Sequence, residues 1–373
     1  MSSRNIKVLS VFGTRPEATK MVPLVLALRD EPGIDSYVCV TAQHRELLDQ
    51  MLTPFGIKPD CDLNIMTEGQ SLADVTSKVL AGLAPVLKDV APDLLLVHGD
   101  TITTFAASLA AFFAKISVGH VEAGLRTYDK YRPYPEEVNR KLVTAIADLY
   151  FAPTQQSREN LLKENVPDKA IYVTGNTAVD FLKYVVADNY RYDCEPLNSL
   201  DETKRIILMT AHRSENHGQP MENICRAVRR VVDDFPDTYL VWPVHPNKAV
   251  KEPAHRFLSG HDRILLIPPL GPFDMINMMK RSYLLLTDSG GLQEEAPAFD
   301  LPVLVLREVT ERPEGLTAGT LALAGVSESS IYDHAARLLT DEPLYQKMAN
   351  APNPFGDGHA CGRIIKAIKE KIV

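Results

Sequence analysis

Residues 287–295 combine side chains and backbone groups that could hold an anion at the start of a helix. The segment reads TDSGGLQEE and places Ser289, Gly290 and Gly291 between an apolar run and a predicted helix. Backbone N–H groups at a helix start point outward, and glycines let a phosphate approach them closely. Glu294 and Glu295 would repel a phosphate, so at least one of them is expected to face a neutral polyol such as a ribose. The segment indicates a nucleotide-diphosphate site, with a plain turn capped by Ser289 as the alternative.

Polar and charged blocks follow several other apolar runs of the chain. In an open parallel sheet, ligands bind beyond the carboxyl ends of the strands, so these blocks are expected to share one edge. The first half of the chain would supply carboxylates there, and the second half would supply phosphate-binding groups. The blocks are GTRPE (13–17), HGDT (98–101), EAGLRT (122–127), TAHRSEN (210–216), HPN (245–247) and TERPE (310–314).

Two carboxylates in these blocks are candidates for acid–base chemistry. Glu122 directly follows an apolar run, where burial of a carboxylate is energetically unfavourable unless a charged group binds it. Asp100 follows Gly99 at a predicted helix start, where a helix N-cap is the competing interpretation. Glu136 and Glu137 stand in the first turn of another predicted helix, where acids commonly complement the helix dipole.

Basic side chains in the same blocks are candidates for holding a diphosphate. Arg15 stands at a strand-to-helix turn, where a guanidinium can donate two parallel hydrogen bonds, or it is simply solvated. His212 and Arg213 close a predicted strand beside a polar turn, which favours phosphate contact. His245 is either a solvated loop residue or a site residue. His120 lies inside an apolar run and is predicted to be a core side chain.

Several familiar motifs are missing from the sequence. It contains no G-x-G-x-x-G turn, no G-x-x-x-x-G-K-[ST] loop and no G-x-S-x-G elbow. It also lacks a clustered His/Asp metal pattern. We therefore expect acid–base chemistry on a nucleotide-linked substrate, without a metal or other cofactor.

The elements that must position these groups alternate between short apolar strands and longer helices. This pattern predicts an α/β protein with two doubly wound, Rossmann-like domains, assigned to residues 1–172 and 173–357. The polar segment 188–203 is expected near their junction. Strands are predicted at 6–12, 37–41, 94–98, 116–121, 149–151, 206–209, 240–242, 264–267, 283–286 and 303–306, and the clearest helices at 43–55, 72–87 and 101–113.

Size and composition fit this picture. A chain of 373 residues exceeds the roughly 250–300 at which one core stops growing. No signal peptide or membrane-spanning apolar stretch is recognised, and the five cysteines form no C-x-x-C pair, so we expect a cytoplasmic protein with reduced thiols. A net charge of −8 argues against nonspecific nucleic-acid binding.

Taken together, the ordered blocks resemble those of the non-hydrolysing UDP-N-acetylglucosamine 2-epimerases over nearly the full chain. The resemblance also includes TAQHRE (41–46) and PEEVNR (135–140). It implies the glycosyltransferase-B-type fold, with the active site in the cleft between the domains and the C-terminal helix, 358–373, joined to the first domain. It further implies a homodimer that supplies cell-surface polysaccharide synthesis.

The reaction that the resemblance implies is reversible inversion at sugar carbon 2, giving UDP-N-acetylmannosamine by elimination and re-addition of UDP across 2-acetamidoglucal. The catalytic residues implied are Asp100, Glu122, Glu136 and His212, and which carboxylate removes and which returns the proton stays open. The implied UDP contacts are Arg15, Lys20, Arg213, Met275, Ser289, Gly290, Gly291 and Glu295, with Phe273 close to the Met275 position. A second UDP-N-acetylglucosamine, acting as an activator, would contact Gln43, His44, Gln70 and His245.

Three other functions remain open from the sequence. A hydrolysing epimerase would release N-acetylmannosamine and UDP. A glycosyltransferase of the same fold would use the nucleotide site together with an acceptor. A nucleotide-sugar sensor would bind without turnover.

Overall fold

The computed structural model describes residues 4–41, 45–67 and 69–372, with the backbone alone at 45–47. The chain forms two compact units, Met1–Tyr184 with Gly356–Val373, and Val185–Phe355. The sequence prediction placed these divisions at 172–173 and 357–358 instead. The first division falls later because Phe181 packs edge-on against Phe55, with ring centroids 5.5 Å apart, and so holds this segment in unit 1.

Unit 1 contains a seven-stranded parallel sheet in the order β3-β2-β1-β4-β5-β6-β7. The order reverses between β1 and β4, which pair directly, and ligands of doubly wound sheets bind at such switch points. The strands are β1 Ile6–Phe12, β2 Ile34–Val40, β3 Cys61–Asp62, β4 Leu94–His98, β5 Ser117–Val121, β6 Leu149–Ala152 and β7 Ile171–Val173.

Helices connect these strands, and polar side chains mark where several of them begin. Ser71 caps one helix by accepting from the backbone of Asp74 at 3.2 Å, and Thr101 caps another by accepting from Thr104 at 3.1 Å. The helices are α1 Arg15–Asp30, α2 Arg45–Leu52, α3 Leu72–Val90, α4 Ile102–Phe113, α5 Glu136–Ile146, α6 Gln155–Lys163 and α7 Thr177–Val185.

Unit 2 contains a six-stranded parallel sheet in the order β10-β9-β8-β11-β12-β13. Trp242 is fully buried in its core. The strands are β8 Arg205–Thr210, β9 Thr238–Pro243, β10 Ile264–Ile267, β11 Leu284–Thr287, β12 Val303–Val305 and β13 Leu321–Leu323. The helices are α8 Gln219–Asp234, α9 Lys248–Leu258, α10 Pro272–Arg281, α11 Gly290–Glu295, α12 Pro313–Ala318, α13 Glu328–Thr340 and α14 Glu342–Ala349.

The last helix, α15 Ala360–Lys371, belongs to unit 1. Its first turn is capped by Asp180 of α7, whose carboxylate accepts the N–H groups of Ala360 at 3.1 Å and Cys361 at 3.0 Å. Near its other end, Lys369 pairs with Glu31, which follows α1. These contacts anchor the returning chain at both ends of the helix.

The prediction of two doubly wound α/β domains is confirmed. The strands that the sequence missed are β3, β7 and β13, which are two or three residues long and lie at the edges of the two sheets. Such short strands carry too few residues to show an apolar pattern. Within the described ranges, every helix is too short or too polar to cross a bilayer.

Candidate active site

The carboxyl ends of β4 and β5 bring two candidate carboxylates to neighbouring points of unit 1. His98 and Val121 are register partners, and the Gly99 N–H donates to the Val121 carbonyl at 2.9 Å. Asp100 and Glu122 follow directly. Glu122 has a backbone φ of +63°, a left-handed conformation that is unusual for a side chain of this kind and that recurs at functional sites.

Two side chains donate to the same carboxylate oxygen of Glu122, Oε2, and a third lies just beyond hydrogen-bond distance. Lys20 of α1 donates to it and forms an ion pair, Asn176 donates its amide at 3.2 Å, and His98 Nε2 lies 3.6 Å away. The other oxygen, Oε1, faces Gly99, where an added Cβ would lie 3.7 Å from it. The Glu122 side chain is 9% exposed.

This environment fixes the charge of Glu122. Burial alone would raise the pKa of its carboxyl group, but the positive charge of Lys20 and the neighbouring His98 outweigh burial and hold that pKa well below its ordinary value. Glu122 is therefore ionised at neutral pH.

Asp100 is not the N-cap of α4, contrary to the competing interpretation of the sequence. Thr101 fills that position. The Asp100 carboxylate instead accepts from Arg140 of α5, with Nε at 2.8 Å and Nη2 at 2.7 Å from Oδ2. Asn139 donates to the Asp100 backbone carbonyl at 2.8 Å. Helix α5 thus fixes both the backbone and the side chain of Asp100.

The two acids at the start of α5 have different environments. Glu137 is fully buried, accepts the N–H groups of Thr127 and Tyr128 at 3.0 Å each, and pairs with Arg140 at 3.1 Å. It therefore organises the loop before α5. Glu136 has a buried oxygen, Oε2, without a hydrogen-bond partner among the described residues. An unsatisfied buried oxygen is unfavourable unless a ligand completes it, which favours Glu136 for substrate contact.

The turn between β1 and α1 is held by Glu17. Its carboxylate accepts the N–H groups of Gly13 at 3.0 Å and Thr14 at 2.8 Å, and the hydroxyl of Thr101 at 2.8 Å. Gly13 is required because an added Cβ would lie 1.9 Å from the Thr41 hydroxyl. Arg15, the first residue of α1, is exposed at this turn.

His120 is a core residue, as predicted, with an additional contact at the carboxyl edge. Its Nε2 donates to the Gly99 carbonyl at 2.7 Å, while Nδ1 has no hydrogen-bond partner in the part of the chain that the structure describes. Burial is the main cause that lowers the pKa of His120 to about 4, so its ring is neutral. His120 thereby supports the turn that leads to Asp100.

In unit 2, two guanidinium groups lie over the Ser-Gly-Gly turn. A Cβ added to Gly290 would lie 3.6 Å from Arg312 Nη2 and 4.0 Å from Arg213 Nη2. Ser289 stands at the N-cap position of α11, but its hydroxyl makes no cap hydrogen bond. Backbone N–H groups, a serine hydroxyl that does not cap the helix and two positive charges therefore meet at one turn, which suits an anion.

No role was predicted from the sequence for Arg312, although this residue belongs to the TERPE block. Its Nε donates to the buried carboxylate of Glu294. This contact orients the guanidinium and places the charge of Glu294 against it. Glu295 is half-buried and its Oε1 would lie 3.9 Å from a Cβ on Gly291, so Glu295 is the acid placed beside the turn.

His212 lies beside the same turn and has a neighbour on each of two sides. Its ring stacks on that of His245, with centroids 5.8 Å apart and planes inclined by 21°. Its Nδ1 lies 3.4 Å from Oδ1 of Asp288, the residue before Ser289. Thus His212, Arg213 and His245 are brought together in unit 2.

The remaining sequence candidates are more scattered. Met275 and Phe273 are half-buried on α10 in unit 2. Gln70 belongs to unit 1, where its side-chain oxygen accepts from Thr67 at 3.1 Å and Lys78 at 3.2 Å. Gln43 and His44 lie outside the described residues. No group of three or more His, Cys, Asp or Glu side chains in residues 4–41, 45–67 and 69–372 could hold a metal ion.

Comparison with known proteins shows which protein family this chain matches. The family model described as UDP-N-acetylglucosamine 2-epimerase matches residues 26–369. The UDP-N-acetylglucosamine 2-epimerase of Bacillus subtilis is 57% identical over 365 residues, covering 98% of this chain and 95% of that protein.

Solved structures agree with this match. A crystal structure from Listeria monocytogenes has a TM-score of 0.93 at 52% identity, covering 98% of this chain and 96% of that one. A UDP-GlcNAc 2-epimerase from Neisseria meningitidis, bound to UDP-GlcNAc, has a TM-score of 0.85 at 44% identity, covering 98% and 100%. The chain therefore belongs to the UDP-N-acetylglucosamine 2-epimerase family.

Proposed function

We propose that this protein interconverts UDP-N-acetylglucosamine and UDP-N-acetylmannosamine without net hydrolysis, by eliminating UDP and adding it back. The observation that carries the proposal is the environment of Glu122 at the carboxyl edge of the first sheet, where Lys20 and Asn176 donate to its ionised carboxylate and His98 lies 3.6 Å from it. A fixed negative charge at this position suits a sugar that develops positive charge at carbon 1.

In the forward direction, a carboxylate removes the proton from carbon 2 while the bond between carbon 1 and the β-phosphate oxygen breaks. The electron pair of that bond leaves with UDP, and the C–H electrons form the double bond of 2-acetamidoglucal. Return of a proton to the opposite face of carbon 2, with addition of UDP to carbon 1, gives the epimer. Asp100, Glu122 and Glu136 are the groups proposed for proton transfer and charge stabilisation.

Unit 2 would hold UDP throughout this cycle. The Ser289–Gly291 turn, with Arg213 and Arg312 beside it, would bind the diphosphate, and Glu295 would accept from the ribose. His212 would donate to the departing β-phosphate, and Met275 would contact the nucleotide. Arg15 of unit 1 is proposed as a further contact from the family resemblance. Retention of UDP in this way would favour re-addition over hydrolysis, because a held leaving group can return to carbon 1 before water reacts.

The test is incubation with UDP-N-acetylglucosamine in deuterated water, followed by NMR and mass spectrometry at short times. We expect UDP-N-acetylmannosamine with one deuterium at carbon 2 and almost no free UDP. Release of UDP and N-acetylmannosamine in equal amounts would identify a hydrolase instead. Turnover only with an added acceptor would identify a glycosyltransferase, and binding without exchange would identify a sensor.

Activation by a second substrate molecule is proposed from the family resemblance at Gln70 and His245. Two rate measurements test it. Initial rates should rise sigmoidally with UDP-N-acetylglucosamine, and a Gln70→Ala variant should weaken that sigmoidality while keeping the deuterium exchange. The homodimer is likewise proposed, and sedimentation equilibrium of the purified chain would reveal it.

A further inference from the structure

Asp288 is a fully buried carboxylate placed behind the candidate diphosphate site. Its Oδ2 accepts three hydrogen bonds, from the backbone N–H groups of His212 at 2.9 Å and Arg213 at 2.8 Å and from the side-chain amide of Asn216 at 3.0 Å. Asp288 thus determines the path of the chain after β8.

The second oxygen of Asp288 has a different environment. Oδ1 is buried and has no hydrogen-bond partner among the described residues, and Nδ1 of His212 lies 3.4 Å from it. A buried carboxylate oxygen that lacks a donor is unfavourable, so this oxygen is suited to receive a proton-bearing nitrogen. Catalytic hydrogen bonds are often long before substrate binds and shorten in the complex.

The two ring nitrogens of His212 have different surroundings. Nδ1 faces the buried carboxylate, while the side chain as a whole is 43% exposed. His245 stacks on one face of the ring, and Arg213 is the next residue in the chain. Because Nδ1 faces Asp288, Nε2 is the nitrogen directed away from the buried carboxylate.

We infer that Asp288 is a positioning residue that keeps a proton on Nδ1 of His212 and so presents Nε2 to the diphosphate. When both ring nitrogens carry protons, the buried carboxylate balances the positive charge of the ring, and Nε2–H is donated to the β-phosphate oxygen as UDP departs. No proton needs to move from Asp288. The inference rests on the proposed function only for its effect on turnover, because the position of the proton is a property of the free protein.

The first experiment locates that proton without substrate. Protein labelled with ¹⁵N at histidine, assigned with a His212→Gln variant, is studied by long-range ¹H–¹⁵N NMR at a pH where the His212 ring is neutral. We expect Nδ1 to carry the hydrogen in the wild-type protein. In Asp288→Asn, the amide can accept the two backbone N–H groups and turn its NH₂ toward the ring, which moves the hydrogen to Nε2. Asn216→Ala, which removes one donor and keeps the carboxylate, is the matched control and should keep the hydrogen on Nδ1.

The second experiment asks whether Asp288 acts through His212. Asp288→Asn should lower kcat roughly 10- to 100-fold with KM changed less than about threefold, as expected for a partner that orients a reacting group. In a His212→Gln background the same substitution should lower kcat less than about threefold, because the ring that it orients is already missing.

Two results would overturn the inference. One is a wild-type spectrum with the hydrogen on Nε2, which decides the question even if Asp288→Asn does not fold. The other is an equal loss of kcat in both backgrounds, which would make Asp288 a support of the turn alone. Absence of epimerisation in the wild-type protein would contradict the proposed function but would leave the NMR result valid.

Discussion

Lys20 and Glu122 form an ion pair between α1 and the turn after β5, although 102 positions separate them in the chain. Both side chains are largely removed from water, at 17% and 9% exposure. An ion pair in such a setting loses much of its hydration, and removal of one partner leaves the other charge uncompensated. Lys20 therefore controls the charge of Glu122 in addition to any contact that it makes with UDP.

Replacement of Lys20 by methionine should raise the pKa of Glu122, because the lysine charge is one of the causes that hold it low. If ionised Glu122 is required, activity lost on acidification will be lost at a higher pH in Lys20→Met than in the wild-type protein. Lys20→Arg, which keeps the charge, should shift the profile less. The measurement is kcat/KM as a function of pH, with UDP affinity determined separately, and superimposable acid limbs would refute this role.

Conversion of the two carboxylates to amides tests their part in the chemistry. Asp100→Asn and Glu122→Gln should each lower the rate at least about a hundredfold, since general acid–base catalysis commonly contributes this much. UDP binding should persist, because the guanidinium groups and the Ser-Gly-Gly turn belong to unit 2. Glu159→Gln on the exposed side of α6 is the control and should turn over normally. Near-normal rates for both site variants would mean that other groups carry the reaction.

Arg312→Gln should weaken UDP binding, because it removes one of two guanidinium groups beside Gly290. Loss of a charge-assisted contact to phosphate should raise the UDP dissociation constant roughly 10- to 100-fold in calorimetry. The variant also leaves the buried Glu294 without its guanidinium. An Arg312→Gln/Glu294→Gln double variant separates the two effects: it should recover thermal stability but not UDP affinity. Recovery of both would assign Arg312 a role only in holding Glu294.

His120 should make the folded protein sensitive to mild acid. Its pKa is lowered to about 4 in the folded state, whereas an unfolded histidine titrates near 6.5. As the pH falls from about 6.5 to about 4, the unfolded chain gains a proton that the folded protein does not, so the free energy of unfolding decreases. The loss over this window should be about 3 kcal/mol.

His120→Gln offers a matched control, since its amide can still donate to the Gly99 carbonyl but does not titrate. Urea unfolding at a series of pH values should show the wild-type protein losing more stability than the variant between about pH 6.5 and 4. Parallel curves would show that the buried ring does not contribute to this acid sensitivity.

Much of the fold can be predicted from local sequence because both sheets are built from strands with continuous apolar runs. Strands such as Leu94–His98 and Ile264–Ile267 are found at the predicted bounds. Their ends identify the blocks at the carboxyl edges, since parallel strands place their carboxyl ends together. The short edge strands, such as Ile171–Val173, cannot be predicted in this way, because they are defined by pairing with a neighbouring strand and not by an apolar pattern.

Local sequence is enough to predict the two doubly wound domains, the Ser-Gly-Gly turn and the acidic and basic blocks, because each depends on residues close together in the chain. The partners of the charged side chains at the candidate site, in contrast, depend on the tertiary structure. Asp100 pairs with Arg140, Glu294 with Arg312, and His212 lies against Asp288. These pairs join separate elements, and a carboxylate in water has no preference among several distant cations. Folding selects among them by bringing one partner close and removing part of the water that would otherwise solvate both charges.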